Sequence, residues 1–515
     1  MSAHSMESPA KNKILSFNDL TDRVAELKRA GKVVVQSHGI FDLIHPGIIA
    51  HLNSARKQGD ILIVTVVKDK DVRRGPGRPI FPENLRVDNV ASLEQVDYAC
   101  VVDDEAPYEC VKRIMPDVLA KGQAYKERDR NIHAKLFEEE RDLHFGKSKI
   151  YETGGFSFSS SLLIKDMLSI YSDETRMFLK DFSERYSFYD ILKRINDLKT
   201  LKVLLVGDGI IDEYHYCEPI GKSAKAPIIV NKYLSHDVFA GGAFAIANHL
   251  AGFCDNVELV CLLGRGDSKE GFIRSSLRPN VKTHFFYRDD GPVVLKKRYV
   301  HQYSNQKLLE VDYFNDSYIN GSLESAIVDY LKSAIPSYDM VLVSDFGHGF
   351  ITGGIIETIE KTSARFAVNT QTNGANAGYN LITKYHHPAY VCLDEPEVRL
   401  AACEKYADIE GIAKTLAKTI DSDYLIVTRG RNGSIGINRG SEINRTPVFS
   451  TKVVDTVGAG DAFFAWTAPC ISREIPLDLV SFIGNVVGAL AVRVVCNKKP
   501  VERYELLEFI YALLK

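Results

Sequence analysis

Residues 453–464 read VVDTVGAGDAFF: a β-branched run, then Gly458-Ala459-Gly460, Asp461 and an apolar stretch of helical character. Small residues at a helix start let backbone N–H groups close on an anion, and the helix dipole adds to the attraction. A carboxylate beside such a nest does not bind phosphate itself; it suits a general base that takes the proton from an attacking hydroxyl. The nest would then hold charge on the moving phosphoryl group, where one lost donor costs roughly 3–4 kcal/mol. Taken alone, the same four residues also read as a plain strand–helix turn. A second candidate lies at 36–57, QSHGIFDLIHPGIIAHLNSARK, where Gly39, Phe41 and Asp42 precede His45 and Gly47 at another strand–helix junction. An isolated His there is as readily a satisfied helix-start residue as a phosphate donor.

These residues need parallel strands and helices to carry them. Short apolar runs at 32–36, 60–67, 98–102 and 117–121, with a helical stretch at 47–57, predict one α/β unit closing near residue 170. Residues 171–200 are charged with helical periodicity and predict linker helices after a 1–30 extension and a 31–170 domain. Further runs at 201–206, 257–263, 340–344, 366–369, 390–393 and 424–428 predict one large α/β domain over 201–515. Within it, 214–233 and 292–313 alternate polar and apolar residues, the pattern of a small β lid.

Composition narrows the partners. Of 515 residues, 45% are apolar and 25% charged, which excludes disorder as the main state. The net charge of −3 offers no basic field for nucleic acid or an anionic membrane. Nine scattered cysteines predict reduced thiols, and the polar N-terminus has no apolar signal core, so a cytoplasmic location is expected.

Across 201–515 the chain resembles the ribokinase-like (PfkB-type) carbohydrate kinases. The resemblance implies Asp461 as base, with Gly458, Ala459 and Gly460 as the anion hole. It implies Asp212, in LVGDGIID, on the sugar, and Gly241-Gly242 as the substrate turn. Asp394-Glu395-Pro396-Glu397 falls where the family organises Mg²⁺ and phosphate, so Asp394 and Glu397 are the implied metal pair. Thr428, Gly430 and Gly433 match the nucleotide turn, and Asn485 falls on a helix bordering adenine. ATP and Mg²⁺ are the cofactors this implies, and lids of this family often pair between subunits, which implies a homodimer or higher homo-oligomer.

Residues 31–168 resemble the cytidylyltransferase-like nucleotidyltransferases, with a Rossmann-like fold. On that resemblance His45 is catalytic and Gly39, Phe41, Asp42, Arg86, Lys121 and Ser160 bind nucleotide; Arg78-Pro79, Tyr125 and the flanking Ser159 and Ser161 complete the match. The two domains together are similar to the bifunctional heptose-7-phosphate kinase/heptose-1-phosphate adenylyltransferases, in reversed domain order.

The chain departs from these patterns at named positions. Ala245 stands where the kinases offer Asn to the sugar, Gln371 ends the segment where they have Asp-Pro-Lys, and Ser344–Gly349 reads SDFGHG where the heptose kinases have Ser-Asp-Tyr-x-Lys-Gly. Ile48 replaces the transferases' second His, which should cost on the order of 3 kcal/mol in rate, and Asn84 replaces a Glu. The expected function is ATP-dependent phosphorylation of a sugar or sugar phosphate, with an attached, impaired sugar-1-phosphate nucleotidyltransferase domain. The alternatives are a non-catalytic sensor of nucleotide or sugar phosphate, or a transferase with a degenerate kinase.

Overall fold

The computed structural model describes residues 10–72, 79–103, 108–122, 148–153, 171–266, 268–439, 442–450 and 452–514. The chain forms two compact units, Met1–Ser172 and Asp173–Leu514.

In the first unit, β1 (Val34–Gly39), β2 (Ile61–Val67), β3 (Tyr98–Val102), β4 (Val118–Gly122) and β5 (Lys149–Thr153) form one sheet in the order β3-β2-β1-β4-β5. Every neighbouring pair is parallel. Continuous β-branched runs suit this, because helices bury both faces: β2 is buried from Leu62 onward. The helix Phe17–Arg29, in the expected N-terminal extension, joins this core through Leu20 and Val24.

The second unit holds two sheets. Its strands are β6 (Lys202–Gly207), β7 (Gly209–Lys222), β8 (Ile229–Gly242), β9 (Asn256–Gly264), β10 (Val281–Arg288), β11 (Val294–His301), β12 (Lys307–Tyr313), β13 (Met340–Asp345), β14 (Phe366–Thr370), β15 (Tyr390–Asp394), β16 (Tyr424–Thr428), β17 (Ser434–Asn438) and β18 (Ile443–Thr446). The large sheet runs β10-β9-β6-β13-β14-β15-β16-β17-β18, parallel from β10 to β16 and antiparallel over its last two pairs. The small sheet runs β12-β11-β7-β8 and is built from the segments expected to form the lid.

The helices Asp173–Arg185 and Phe188–Asp197, expected as linkers, are built into the second unit instead. Phe182 stacks on Phe482 with centroids 4.1 Å apart, and Tyr186 donates to Asp478 Oδ1 at 2.8 Å. Their charged residues mask a narrow apolar stripe that docks, with Ile191, Leu192 and Ile195 buried.

Candidate functional site

The carboxyl ends of the parallel strands, the usual ligand-binding edge of an open α/β sheet, carry several residues of the motifs. Asp208 and Asp345 follow or end β6 and β13, Asp394 ends β15 and Thr428 ends β16, and Asp394 and Thr428 are register partners.

Asp461 lies in the first turn of the helix Ala459–Ser472, which starts at Gly458 with no side-chain cap. Gly458 needs its φ of +83°, and a Cβ there would fall 2.0 Å from Asn497 Oδ1. A Cβ built on Gly460 would meet nothing within 4 Å outside its own helix. The Asp461 side chain is buried and accepts a 2.7 Å hydrogen bond from Gln371 Nε2. Burial pushes its carboxyl up to about 7; the Gln371 bond opposes this, as does Lys296 more weakly, while the charge of Asp212 adds to it. A carboxyl raised to near neutrality has the pKa that suits a general base.

Asp212 points from β7 and is clamped by Arg298 of β11. Gly241 is what admits that carboxylate: a Cβ there would lie 2.1 Å from Asp212 Oδ2. At Gly242 (φ +54°) β8 turns into the helix Ala243–Leu250, which buries Ala245.

Two buried polar residues here were missed from sequence. Lys296 is the register partner of Asp212 on β11 and only 7% exposed. Among the described residues its ammonium meets no hydrogen-bond or ion-pair partner. His348, 2% exposed, has both ring nitrogens unpartnered, and burial, then the charge of Lys296, pushes it down to about 4. Its loop is hung on Asp208, whose Oδ2 accepts from the amides of Phe346 (2.9 Å) and His348 (3.4 Å). The SDFGHG motif carried the signal for His348; for Lys296, a lysine inside an alternating lid strand was the only cue.

Asp394 and Glu397 cap their own helix. Asp394 Oδ1 accepts from the Glu397 amide and Glu397 Oε2 from the Asp394 amide, both at 2.8 Å, while Glu397 Oε1 takes the Thr372 amide at 3.1 Å. Burial and then the charge of Asp394 push Glu397 up to about 8, and Asp461 adds to it. A hard cation would relieve that repulsion, and Mg²⁺ commonly takes one or two carboxylates together with substrate phosphates. The donor set therefore fits the ion, although among the described residues no group of three or more His, Cys, Asp or Glu is gathered as a full cage.

Gly430 (φ +52°) and Gly433 (φ +75°) shape the turn after Thr428; a Cβ at Gly433 would strike Thr446 O at 2.0 Å. Asn485 is buried in the helix Leu477–Ala491 and spends its amide on Ser434 Oγ (2.5 Å) and Ser481 O (2.8 Å). It supports the strand after the turn, with both donors already used inside the protein.

In the first unit, His45 caps the helix Pro46–Arg56, its Nδ1 accepting from the Gly47 amide at 3.2 Å. Gly39 ends β1, Phe41 follows with φ +52°, and Asp42 fixes the amides of Ile80 and Phe81. Arg86 is fully buried, donating to Phe81 O, Ile40 O, Val67 O and Asp69 Oδ1. Its guanidinium is a strut for this loop rather than a group facing solvent. Lys121 stands in the last turn of pairing of β4 with β5, opposite Glu152. Ile48 packs against the apolar core, and His51 is held between Ser37 Oγ (2.8 Å) and Thr153 Oγ1 (2.6 Å), half-buried, with desolvation pushing it down to about 4. Arg78, Tyr125 and Ser159–Ser161, including Ser160, lie outside the described residues.

Comparison with known proteins divides the chain the same way. Residues 201–496 match the family described as pfkB family carbohydrate kinase, and residues 37–153 the family described as cytidylyltransferase-like. The bifunctional protein HldE of Trichlorobacter lovleyi is 26% identical over 296 residues, covering 57% of this chain and 60% of that protein. HldE of a Nitratiruptor species is 35% identical over 145 residues, 28% of this chain and 31% of that protein. The chain thus spans about 60% or less of the length of these curated relatives. A mutant phosphofructokinase-2 from Escherichia coli shares the fold, with a TM-score of 0.51 at 12% identity over 61% of this chain and 100% of its own.

Proposed function

Because the chain belongs to the pfkB family of carbohydrate kinases over residues 201–496, we propose that its second unit transfers the terminal phosphoryl group of ATP to a hydroxyl of a sugar or sugar phosphate. The observation that carries this reading is Asp461: a buried carboxylate with a pKa near 7, in the first turn of an uncapped helix, with Gln371 orienting it. Its free oxygen can take the proton of an acceptor hydroxyl, while the Gly458–Gly460 amides receive charge on the phosphoryl group. Asp212, fixed by Arg298 and Gly241, orients the acceptor. Mg²⁺, held by Asp394 and Glu397, would neutralise the triphosphate. Thr428, Gly430 and Gly433 would border the nucleotide, and Asn485 would back that turn.

Lys296, whose ammonium has no hydrogen-bond or ion-pair partner among the described residues, favours an acceptor that already carries an anionic group, and the unpartnered ring nitrogens of His348 offer that acceptor neutral hydrogen bonding. The small sheet exposes Ile229, Tyr233, Leu309 and Tyr313, apolar area suited to a homodimer. Nine free cysteines, eight of them buried, accord with a cytoplasmic location.

The first unit is a nucleotidyltransferase on this reading, with His45 as phosphate donor and Ile48 weakening it. Together the units would serve nucleotide-activated sugar synthesis. The test is ADP formation over a panel of heptose, hexose and pentose phosphates, with Asp461→Asn as control. Nucleotide binding with no turnover on any acceptor would overturn the kinase reading and leave the sensor.

A further inference from the structure

Asp455 lies three residues before Gly458, on the segment that leads into the anion loop, and is 8% exposed. Four donors converge on its carboxylate. Oδ2 accepts from the Tyr214 hydroxyl at 2.8 Å and from the Cys496 amide at 3.1 Å. Oδ1 accepts from Lys307 Nζ at 2.7 Å and from the Val457 amide at 3.2 Å. Tyr214 belongs to β7 and Lys307 to β12, so two strands of the small sheet grip a loop that belongs to the large one. The Lys307 ammonium also stands 5.8 Å from the centroid of the Tyr214 ring.

The charge count makes this contact more than a surface pair. An exposed ion pair contributes little, but here one partner is buried, three residues before the glycines that the kinase reading gives to the phosphates. Without the ammonium, a bare carboxylate would stand close to an incoming triphosphate and repel it. The bond from the Val457 amide to the same carboxylate sets the direction in which the chain enters Gly458. The two effects act on one segment: Lys307 cancels the charge and fixes the turn.

We propose that Lys307 is a positioning residue for phosphoryl transfer, its ammonium fixing Asp455 and through it the Val457–Gly460 backbone that receives the moving phosphoryl group. This rests on the kinase reading and adds a physical link from the small sheet, which carries Asp212, Lys296 and Arg298 on the acceptor side, to the loop on the phosphate side.

The test compares wild type, Lys307→Met, Lys307→Arg and Tyr214→Phe by steady-state ADP formation, calorimetric binding of ATP and ADP, and thermal melting. Lys307→Met should lose at least about thirtyfold in kcat while the acceptor KM moves less than about threefold. Methylammonium chloride at about 100 mM should return at least fivefold to that variant and nothing to wild type, because a small cation can refill the vacated place. Lys307→Arg should stay within about fivefold of wild type. A Met variant within threefold of wild-type kcat overturns the proposal, and so does a loss that methylammonium leaves untouched in a folded protein. If Lys307→Met does not fold, Tyr214→Phe decides: an unchanged kcat overturns the proposal, and a fall with an unchanged melting temperature supports it. If wild type binds nucleotide but phosphorylates nothing, the kinase reading fails separately. Lys307→Met must then weaken ATP at least tenfold more than ADP for the loop assignment to stand; equal weakening overturns it.

Discussion

Gln371 donates one amide hydrogen to Asp461 Oδ1 across 2.7 Å and another to Asn369 Oδ1 across 3.0 Å. Gln371 ends the segment where the resembling kinases have Asp-Pro-Lys. A neutral donor orients the carboxylate without stabilising its charge as an ammonium would, so burial keeps the upper hand and the group titrates near 7.

The base must be ionised to work, so kcat should rise as pH passes through about 7. Gln371→Lys places a positive charge on the carboxylate and favours its ionised form. The acid limb of the kcat–pH profile should then move to lower pH by about one unit or more. A limb that stays in place would assign the titration to another group.

Asp461→Asn should lower kcat at least about a hundredfold. The same substitution should stabilise the fold at pH 8. A carboxyl whose folded-state pKa is raised favours folding at low pH and loses that contribution as pH climbs from about 4 through about 7. Melting curves should therefore show the Asn variant above wild type at pH 8, with the gap closing toward pH 4.5. A constant gap would mean that charge burial is not its source.

Lys296→Met removes an ammonium that has no protein partner among the described residues. The KM for a phosphorylated acceptor should rise at least about tenfold more than the KM for its unphosphorylated counterpart. Equal changes for both would place Lys296 on the nucleotide side.

Gly241→Ala drives a Cβ to within 2.1 Å of Asp212 Oδ2 and must displace the carboxylate from Arg298. Acceptor kcat/KM should fall more than about tenfold while ATP affinity stays within a factor of two. A matched loss in ATP binding, read by calorimetry, would show that the distortion spreads across the cleft.

In the first unit, Ile48→His should raise pyrophosphate release from CTP or ATP with a sugar 1-phosphate. No rise would show that the missing donor does not limit that domain. His51 offers no substitute, since both its ring nitrogens are held inside the protein.

The strands that carry the site were legible because each is a short run of buried β-branched residues, as in β13, where all six positions are buried. The lid showed itself by alternation, and the anion loop by glycines that the backbone requires. Other features were not legible. β10, β17 and β18 lack that pattern, and the two helices after Ser172 looked like a linker because their charges outnumber a narrow buried stripe. Arg86 looked like a phosphate ligand, yet no spacing reveals that Ile40, Phe81 and Val67 carbonyls fill its fork. Lys296 was invisible for the opposite reason: its importance lies in what it fails to touch.

Asp394 and Thr428 are partners in adjacent, hydrogen-bonded strands, whereas Asp212 and Lys296 ride on a separate sheet. On the proposed kinase reading, the half of the cleft for the triphosphate would be preassembled within one sheet, like a fixed jaw, and the half for the sugar would be carried by the other sheet. Rocking the small sheet would reshape the sugar's berth and leave the other jaw intact except where Lys307 grips Asp455. Such an anatomy favours loading the donor first and committing to reaction only after the second guest has drawn the jaws together.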